Sequence, residues 1–465
     1  MKRVHLIGVC GTAMATLAAM LKQRGFDVQG SDHGVYPPMS EFLAREQVRV
    51  FDGYRPEQIT GDIDTVVVGN AISRGNVELE AVLDRKVRYL SLPEAIREHF
   101  LWDRRSIVLA GTHGKTTTTA LTAWLLTAAG ADPSLLVGGI ANNFDGSYRL
   151  GSGRDFVIEG DEYDSAFFDK TAKFLKYLPD IAVIGNIEYD HADIYPDMES
   201  LRMAFRRFVN LVPQNGRLIL GADCPEASRL AGFARSPVET FGFAPNADWR
   251  AGELVAAGDF TRFELTHDGE PLGHFEVPLY GQHNVRNALG AIAAGHAAGI
   301  ATETLRKGLR EFRGVRRRLE KRGEVRGVSV YDDFAHHPTA IFETIRAVKS
   351  THPDRRLWAV FEPRSATSCR KVFQDDFLRA FQESGADEII LAAVFRASLS
   401  EDERLDVDAI VNSLHQRGRS ARHLPDVATI VQVIAEGARE GDLVLIMSNG
   451  GFDGIHDKLL AALAE

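Results

Sequence analysis

The chain has little cysteine: three residues in 465, at Cys10, Cys224 and Cys369. They stand far apart, without the spacing of a metal cluster or a disulfide framework, so a reduced cytoplasm is the expected compartment. Positive charge is not in excess either. A formal net charge of −10 speaks against a nucleic-acid or anionic-membrane binder, since both need a basic face. No apolar run approaches membrane-spanning length. The start, Met1-Lys-Arg-Val-His-Leu-Ile-Gly8, has too short an apolar stretch for a secretory signal and reads as a first strand. Low-complexity segments and internal repeats are missing. What is present is a soluble, globular composition, 45% hydrophobic and 25% charged, long enough for about three domains. Anionic ligands would then be held by local clusters of cations.

The most informative run is Gly111-Thr-His-Gly-Lys-Thr116. It follows the apolar stretch Ser106–Ala110, which predicts a buried strand, and precedes a predicted helix from Thr117 to Ala129 closed by Gly130. A glycine-rich turn between strand and helix aims backbone N–H groups and the positive helix end at phosphate oxygens. Lys115 suits the terminal phosphates, and the Thr116 hydroxyl suits a magnesium ion. Leu109 stands where the full phosphate-loop pattern has glycine, so the loop is a shortened variant. Two further apolar strands end in polar bursts, Asp155 to Ser165 and Ile181 to Asp193. In a parallel sheet both bursts fall on the edge that carries the phosphate loop. The bland alternative is that these acids are merely solvated loop residues.

Elsewhere the chain opens with a strand, a turn and a helix. Gly8 matches the first glycine of a dinucleotide fingerprint, but Cys10 stands at its middle glycine and Ala13 at its last, with Gly11 between them; Asp32 tips the next strand. Alone, this would suggest a weak nicotinamide site. The region Arg217 to Glu276 reads as short antiparallel strands appended to the nucleotide-binding sheet. The basic run Arg313 to Arg322 reads as a hinge. Strands at Val328–Tyr331, Leu357–Phe361, Glu388–Leu391 and Leu443–Met447 alternate with helices, another α/β layer structure. Three of them end in the turns Asp332-Asp333, Glu362-Pro-Arg-Ser365 and Ser448-Asn-Gly-Gly451. His336 and His337 are adjacent in an extended segment and point opposite ways, which argues against a metal pair.

GTHGKTTTT (Gly111 to Thr119), EGDEYDSAF (Glu159 to Phe167), NIEYDHAD (Asn186 to Asp193), GQHNVRNALGA (Gly281 to Ala291) and YDDFAHHP (Tyr331 to Pro338) occur in one order along the chain. Together they resemble the Mur ligases, ATP-dependent amide-forming enzymes of peptidoglycan assembly. The resemblance implies an α/β protein of three domains: a Rossmann-like UDP-sugar domain over 1–103, a central P-loop ATPase-type domain over 104–314 with a mostly parallel sheet and added antiparallel strands, and a Rossmann-like domain over 315–465 that completes the ATP site and takes the incoming amine.

Several roles follow from the resemblance. Lys115, Glu159, His191 and Arg318 would be catalytic, and Thr116, Glu159 and His191 would hold Mg2+. ATP, the co-substrate, would meet Gly111, Thr112, His113, Gly114, Lys115, Thr116, Thr117, His283, Asn284, Asn287, Arg317, Arg318, Asp333 and His336. The UDP-sugar would meet Gly8, Gly11, Thr12, Met14, Asp32, Asn70, Ser73, Arg74, Asn76, His113, Asp161 and Glu162. Arg364, Ser365, Ser448, Asn449 and Gly450 would face a small peptide. For His283, Asn284 and Asn287, helix capping is the plain alternative; for Arg364, pairing with Glu362.

One departure narrows the branch. Several members carry a carbamylated lysine about fifteen residues after the histidine, yet no lysine occurs between Lys176 and Lys307, and Arg206 is the nearest cation to that place. Members that use UDP-N-acetylmuramate itself as acceptor resemble this chain in that respect. One such branch adds L-alanine; the other adds the tripeptide L-Ala-γ-D-Glu-meso-diaminopimelate. The runs GVCGTAM (Gly8 to Met14), VYPPMS (Val35 to Ser40), SRGN (Ser73 to Asn76), ANNF (Ala141 to Phe144), FEPRS (Phe361 to Ser365) and MSNGGFDGIHDKLL (Met447 to Leu460) resemble the tripeptide branch, with departures at Ala366 and Asp453. The expected partners are UDP-N-acetylmuramate, ATP and a small peptide, with no nucleic acid or membrane, in a monomer or weak homo-oligomer. Readings of other classes are a nicotinamide-dependent oxidoreductase resting on Gly8, Gly11 and Asp32, and a non-catalytic UDP-sugar sensor. The first leaves Lys115, Glu159 and His191 without a role; the second needs no complete magnesium site.

Overall fold

The computed structural model describes residues 2–395 and 399–465. The chain forms two compact units, the first from Met1–Ile187, Glu199–Trp249 and Gly290–Gly308, the second from Glu188–Met198, Arg250–Leu289 and Leu309–Glu465. Two of the three main sheet regions lie in the first unit.

The N-terminal sheet has five parallel strands in the order Arg49–Asp52, Asp27–Asp32, Arg3–Ile7, Thr65–Val68, Tyr89–Ser91. Val66, Val67 and Val68 are fully buried, as strands covered on both faces require. The order reverses at Arg3–Ile7, so the turn Gly8–Gly11 leaves the sheet at its switch point, the usual ligand crevice of such a sheet. The helix Thr12–Gln23 then packs Met14 through Leu21 inward.

The central sheet of this unit runs Val238–Gly242, Arg217–Gly221, Pro179–Ile184, Arg105–Ala110, Asp155–Gly160, Ser134–Ala141, Gly146–Arg149. All neighbours are parallel except the last pair. Arg217–Gly221 and Val238–Gly242 therefore correct the expectation of antiparallel strands from Arg217 onward. Helical turns at Pro225–Ser228 and Arg229–Phe233 separate them and supply the crossover that a parallel pair needs. The phosphate-loop strand Arg105–Ala110 lies between the strands that end in the two acidic bursts. The helix after the loop is Lys115–Ala128, beginning two residues before the expected start, with Gly130 at φ 79° beyond its end.

In the second unit, Phe260–His267 and Glu270–Val277 form an antiparallel hairpin, with Phe263, Leu265, Phe275 and Val277 buried on one face. Its two-residue turn places Asp268 and Gly269 at φ 51° and 82°, the twist such hairpins favour. The C-terminal sheet runs Glu320–Val325, Val328–Asp333, Leu443–Met447, Leu357–Phe361, Glu388–Ala392, Ser420–Leu424. Only its first pair is antiparallel. Asp333, Met447 and Phe361 are in register across three neighbouring strands, so the turns after them open on one edge. The expected hinge is a turn through Val315 and Arg318 that leads into the first of these strands, with Arg317 at φ 59° and Leu319 at φ 49°.

Candidate active site

Gly111 sits at φ 132°, and a Cβ there would lie 2.9 Å from the Asn186 carbonyl oxygen. Glycine is therefore required by both conformation and space. Asn186 holds the loop from the neighbouring strand end. Its carbonyl accepts from the Thr112 N–H at 2.9 Å, and its side-chain oxygen accepts from the His113 N–H at 2.8 Å. Asn186 was not singled out from the sequence, although it heads the NIEYDHAD run. Gly114, at φ 80°, precedes the helix. Thr118 and Thr119 turn their hydroxyls onto the carbonyls of Gly114 and Lys115, which lets a threonine run sit in a helix. Thr117 is buried beside them.

The Lys115 ammonium folds across the loop and donates to the carbonyls of Gly111 and Thr112 at 2.7 and 3.1 Å and to Glu162 Oε1 at 2.9 Å. Burial pushes its pKa down, but Glu162, Asp161 and Glu159 outweigh burial and raise it. Thr116 donates to Glu159 Oε1 at 3.1 Å, and the Gly138 N–H donates to Oε2 at 2.7 Å. A hydroxyl and a carboxylate meeting at a phosphate loop are hard oxygen donors, the set that fits Mg2+. Glu162 and Asp161, expected at the sugar, are engaged otherwise: Glu162 with Lys115, Asp161 with Lys173 at 2.6 Å.

The N-terminal turn is fastened by its acid. Asp32 accepts from the Cys10 N–H at 2.8 Å and from the Tyr54 hydroxyl at 3.4 Å. Burial, followed by the Asp32 charge, pushes the Tyr54 phenol up to about 12. Gly8 takes φ 85°, and Gly11 precedes Thr12 at the start of the helix, with Met14 buried within it. Asn70 donates to Asp164 at 3.0 Å. Two further residues expected at the sugar have local partners. Arg74, assigned to a diphosphate, is held by both oxygens of Glu80 at 2.9 Å. Asn76 caps the helix Val77–Asp84, accepting from the N–H groups of Glu78 and Leu79, and the Ser73 carbonyl accepts from the Asn76 N–H.

In the second unit, Asn284 donates to the Tyr280 carbonyl at 2.8 Å and Asn287 to Asn284 Oδ1 at 3.1 Å, while His283 lies 3.9 Å from Glu343. These contacts fix the start of the helix Gln282–Ala297. Arg317 turns inward: its Nη2 donates to the carbonyls of Ser448 and Gly450 at 2.6 and 2.7 Å, and its Nε lies 3.3 Å from Asp332. It thus holds the glycine-rich turn. Arg318 lies over the Phe334 ring and near Asp333. Asp333 accepts from the N–H groups of Leu319 and Ala335, and burial raises its pKa. His336 Nδ1 lies 3.0 Å from the Phe334 carbonyl.

Around Arg364 the turns converge. Its guanidinium carbon lies 3.7 Å from the centroid of the Phe395 ring, and its Nη1 lies 3.4 Å from Glu362. A Cβ on Gly450 would collide with its Cδ and Nε, so glycine leaves room for the guanidinium. Ser448 donates to Glu362, Ser365 bonds to Ser368, and the Asn449 side-chain oxygen is buried with no partner among the described residues. Phe395 and Glu362 carried no spacing signal; only the turn at Arg364 pointed here.

His191 falls in the segment Glu188–Met198, which belongs to the second unit. Its neighbour Asp190 is buried; burial pushes that carboxyl up, yet His191, His337, His336 and the Thr367 hydroxyl hold it well below the usual carboxylate range. Asp190 and Thr367 were not singled out as site residues from the sequence.

The Mur ligase family, catalytic domain, matches residues 3–101; the Mur ligase middle domain matches 109–295; the Mur ligase, glutamate ligase domain, matches 317–450. The chain is 40% identical over 465 residues to the UDP-N-acetylmuramate–L-alanyl-γ-D-glutamyl-meso-2,6-diaminoheptandioate ligase of Escherichia coli K12, covering 100% of this chain and 98% of that one. It is 34% identical over 449 residues to a UDP-N-acetylmuramate–L-alanine ligase of Oleidesulfovibrio alaskensis, covering 96% of each. Among solved structures it resembles a murein peptide ligase of Psychrobacter arcticus, with TM-score 0.72 and 36% identity, covering 100% of this chain and 99% of that one.

Proposed function

Because the chain belongs to the Mur ligase family, we propose that it joins the lactoyl carboxylate of UDP-N-acetylmuramate to the amino group of L-Ala-γ-D-Glu-meso-diaminopimelate, converting ATP to ADP and phosphate. The carrying observation is the 40% identity along the whole chain to a ligase named for that reaction, against 34% to the L-alanine ligase. In this reading the residues divide as 1–103 for the UDP-sugar, 104–314 for ATP, and 315–465 for the peptide. The reaction belongs to peptidoglycan recycling and to the cytoplasm.

A carboxylate is a poor electrophile, so its oxygen first attacks the γ-phosphorus of ATP, the bond to the β,γ-bridging oxygen breaks, ADP leaves, and the carboxylate becomes an acyl phosphate. The peptide amine then adds to the acyl carbon, the tetrahedral intermediate collapses, and phosphate leaves. The obstacle is bringing a carboxylate to an anionic triphosphate. Lys115, already cationic and folded over the loop, turns from the loop carbonyls toward the phosphates. Thr116 and Glu159 would hold Mg2+ together with His191; when bound, the ion screens the phosphate charge. Arg318 would add a further cation for the phosphates, whereas Arg317 keeps the peptide turn in place. Arg364 receives a peptide carboxylate with its planar pair of donors, and the buried Asn449 oxygen accepts a peptide N–H. The test is ADP release in the presence of UDP-N-acetylmuramate, Mg2+ and either amine. Preference for the tripeptide supports the reading; preference for L-alanine makes the chain the other ligase.

A further inference from the structure

We propose that Thr367 and Asp190 are positioning residues that tie the metal ligand His191 to the loop receiving the incoming peptide. The inference rests on the ligase reading above and adds a coupling within it.

Four contacts fasten the segment around His191 to the C-terminal sheet's loops and helices. Glu188 accepts from the Thr339 hydroxyl at 2.6 Å. The Tyr189 ring stacks on Phe373 with centroids 6.1 Å apart, and its carbonyl lies 3.3 Å from His337 Nε2. Asp190 Oδ1 accepts from the Thr367 hydroxyl, and both residues are buried.

That same Asp190 oxygen also accepts the backbone N–H of His191 at 2.7 Å. His191 sits at φ 56°, a left-handed conformation uncommon outside glycine that persists where surrounding bonds impose it. Its carbonyl is held by the N–H groups of Ile194 and Tyr195, both at 2.9 Å. Asp190 therefore fixes the backbone from which the histidine side chain projects, and Thr367 fixes Asp190.

Thr367 belongs to the tight turn directly after Arg364. The N–H groups of Arg364 and Ser365 both donate to Ser368 Oγ at 2.9 Å, and the Cys369 N–H donates to the Ser365 carbonyl at 3.2 Å. A peptide carboxylate seated on Arg364 and Ser365 orders this turn, and one hydroxyl passes that order to Asp190. Coupling of this kind is reciprocal: peptide tightens metal, and metal tightens peptide.

The test uses full-length wild type, Thr367→Val and Thr367→Ser. Each is titrated with Mn2+ in place of magnesium, with UDP-N-acetylmuramate and a non-hydrolysable ATP analogue, with and without tripeptide; free Mn2+ is read by electron paramagnetic resonance. Wild type and Thr367→Ser should bind Mn2+ more tightly when tripeptide is present. Thr367→Val should bind it about tenfold more weakly, as loss of a hydrogen bond to a charged group implies, and show no tripeptide effect. Its Michaelis constant for UDP-N-acetylmuramate should be unchanged. Thr367→Ala replaces the valine variant if valine does not fold. Mn2+ binding equal to wild type in the variant lacking the hydroxyl, a tripeptide effect that persists in it, or Thr367→Ser behaving like valine would each overturn the proposal. Failure of the functional reading has a different signature, ADP release supported by L-alanine and not by tripeptide.

Discussion

At Lys115, burial and three carboxylates act in opposite directions, and the carboxylates prevail. A lysine whose folded pKa is raised contributes its stabilisation in full below the ordinary value of 10.5 and loses it as pH rises through the folded value. The ammonium is thus charged throughout the neutral range. Lys115→Ala should lower kcat by about 10²–10³, roughly 3–4 kcal/mol of transition-state stabilisation, with the circular dichroism spectrum unchanged; steady-state ADP release measures this. Arg364→Ala should raise the Michaelis constant for tripeptide by an amount worth about 2–5 kcal/mol and leave those for ATP and UDP-N-acetylmuramate nearly unchanged. Cys10 offers a pH prediction. Burial, then the charges of Asp32 and Asp52, push its thiol up to about 11, so the reactive thiolate is scarce at neutral pH. Alkylation of Cys10 by iodoacetamide, followed by peptide mass spectrometry, should stay slow at pH 8 and accelerate only as pH approaches 11.

Among elements, the phosphate loop shows how much was legible in the sequence. Strand, turn and helix could be read at Arg105–Ala110 and Lys115–Ala128 because an apolar run, two glycines and a helix former follow one another locally. The clasp by Asn186 could not, since it joins positions 73 residues apart. The strands Arg217–Gly221 and Val238–Gly242 were recognisable as strands but not as parallel ones, because alternation records burial and not the direction of a partner. Arg74 and Asn76 have partners that are local in sequence: a bidentate acid six residues on, and a helix whose first N–H groups Asn76 caps. Gly111→Ala tests the clasp. A Cβ at 2.9 Å from the Asn186 carbonyl should displace the loop and abolish ATP-analogue binding in calorimetry, while UDP-N-acetylmuramate still binds. Nucleotide binding with wild-type affinity would contradict the requirement for glycine.

At the scale of the whole molecule, an acidic protein of net charge −10 handles anionic substrates through a few placed cations. Two of its arginines differ in their partners: Arg317 donates to the carbonyls of Ser448 and Gly450, whereas Arg318, in the function proposed above, serves the phosphates. Arg317→Ala should therefore weaken peptide more than ATP in a comparison of Michaelis constants, and Arg318→Ala the reverse. The choice of amine is the central claim, and one measurement addresses it directly: initial rates of ADP release by the wild-type protein with UDP-N-acetylmuramate and Mg2+·ATP saturating, as either L-Ala-γ-D-Glu-meso-diaminopimelate or L-alanine is varied. The predicted result is a kcat/KM for the tripeptide well above that for L-alanine, with no ADP released when UDP-N-acetylmuramate is omitted. A higher kcat/KM for L-alanine, or ADP release that ignores both amines, would contradict it.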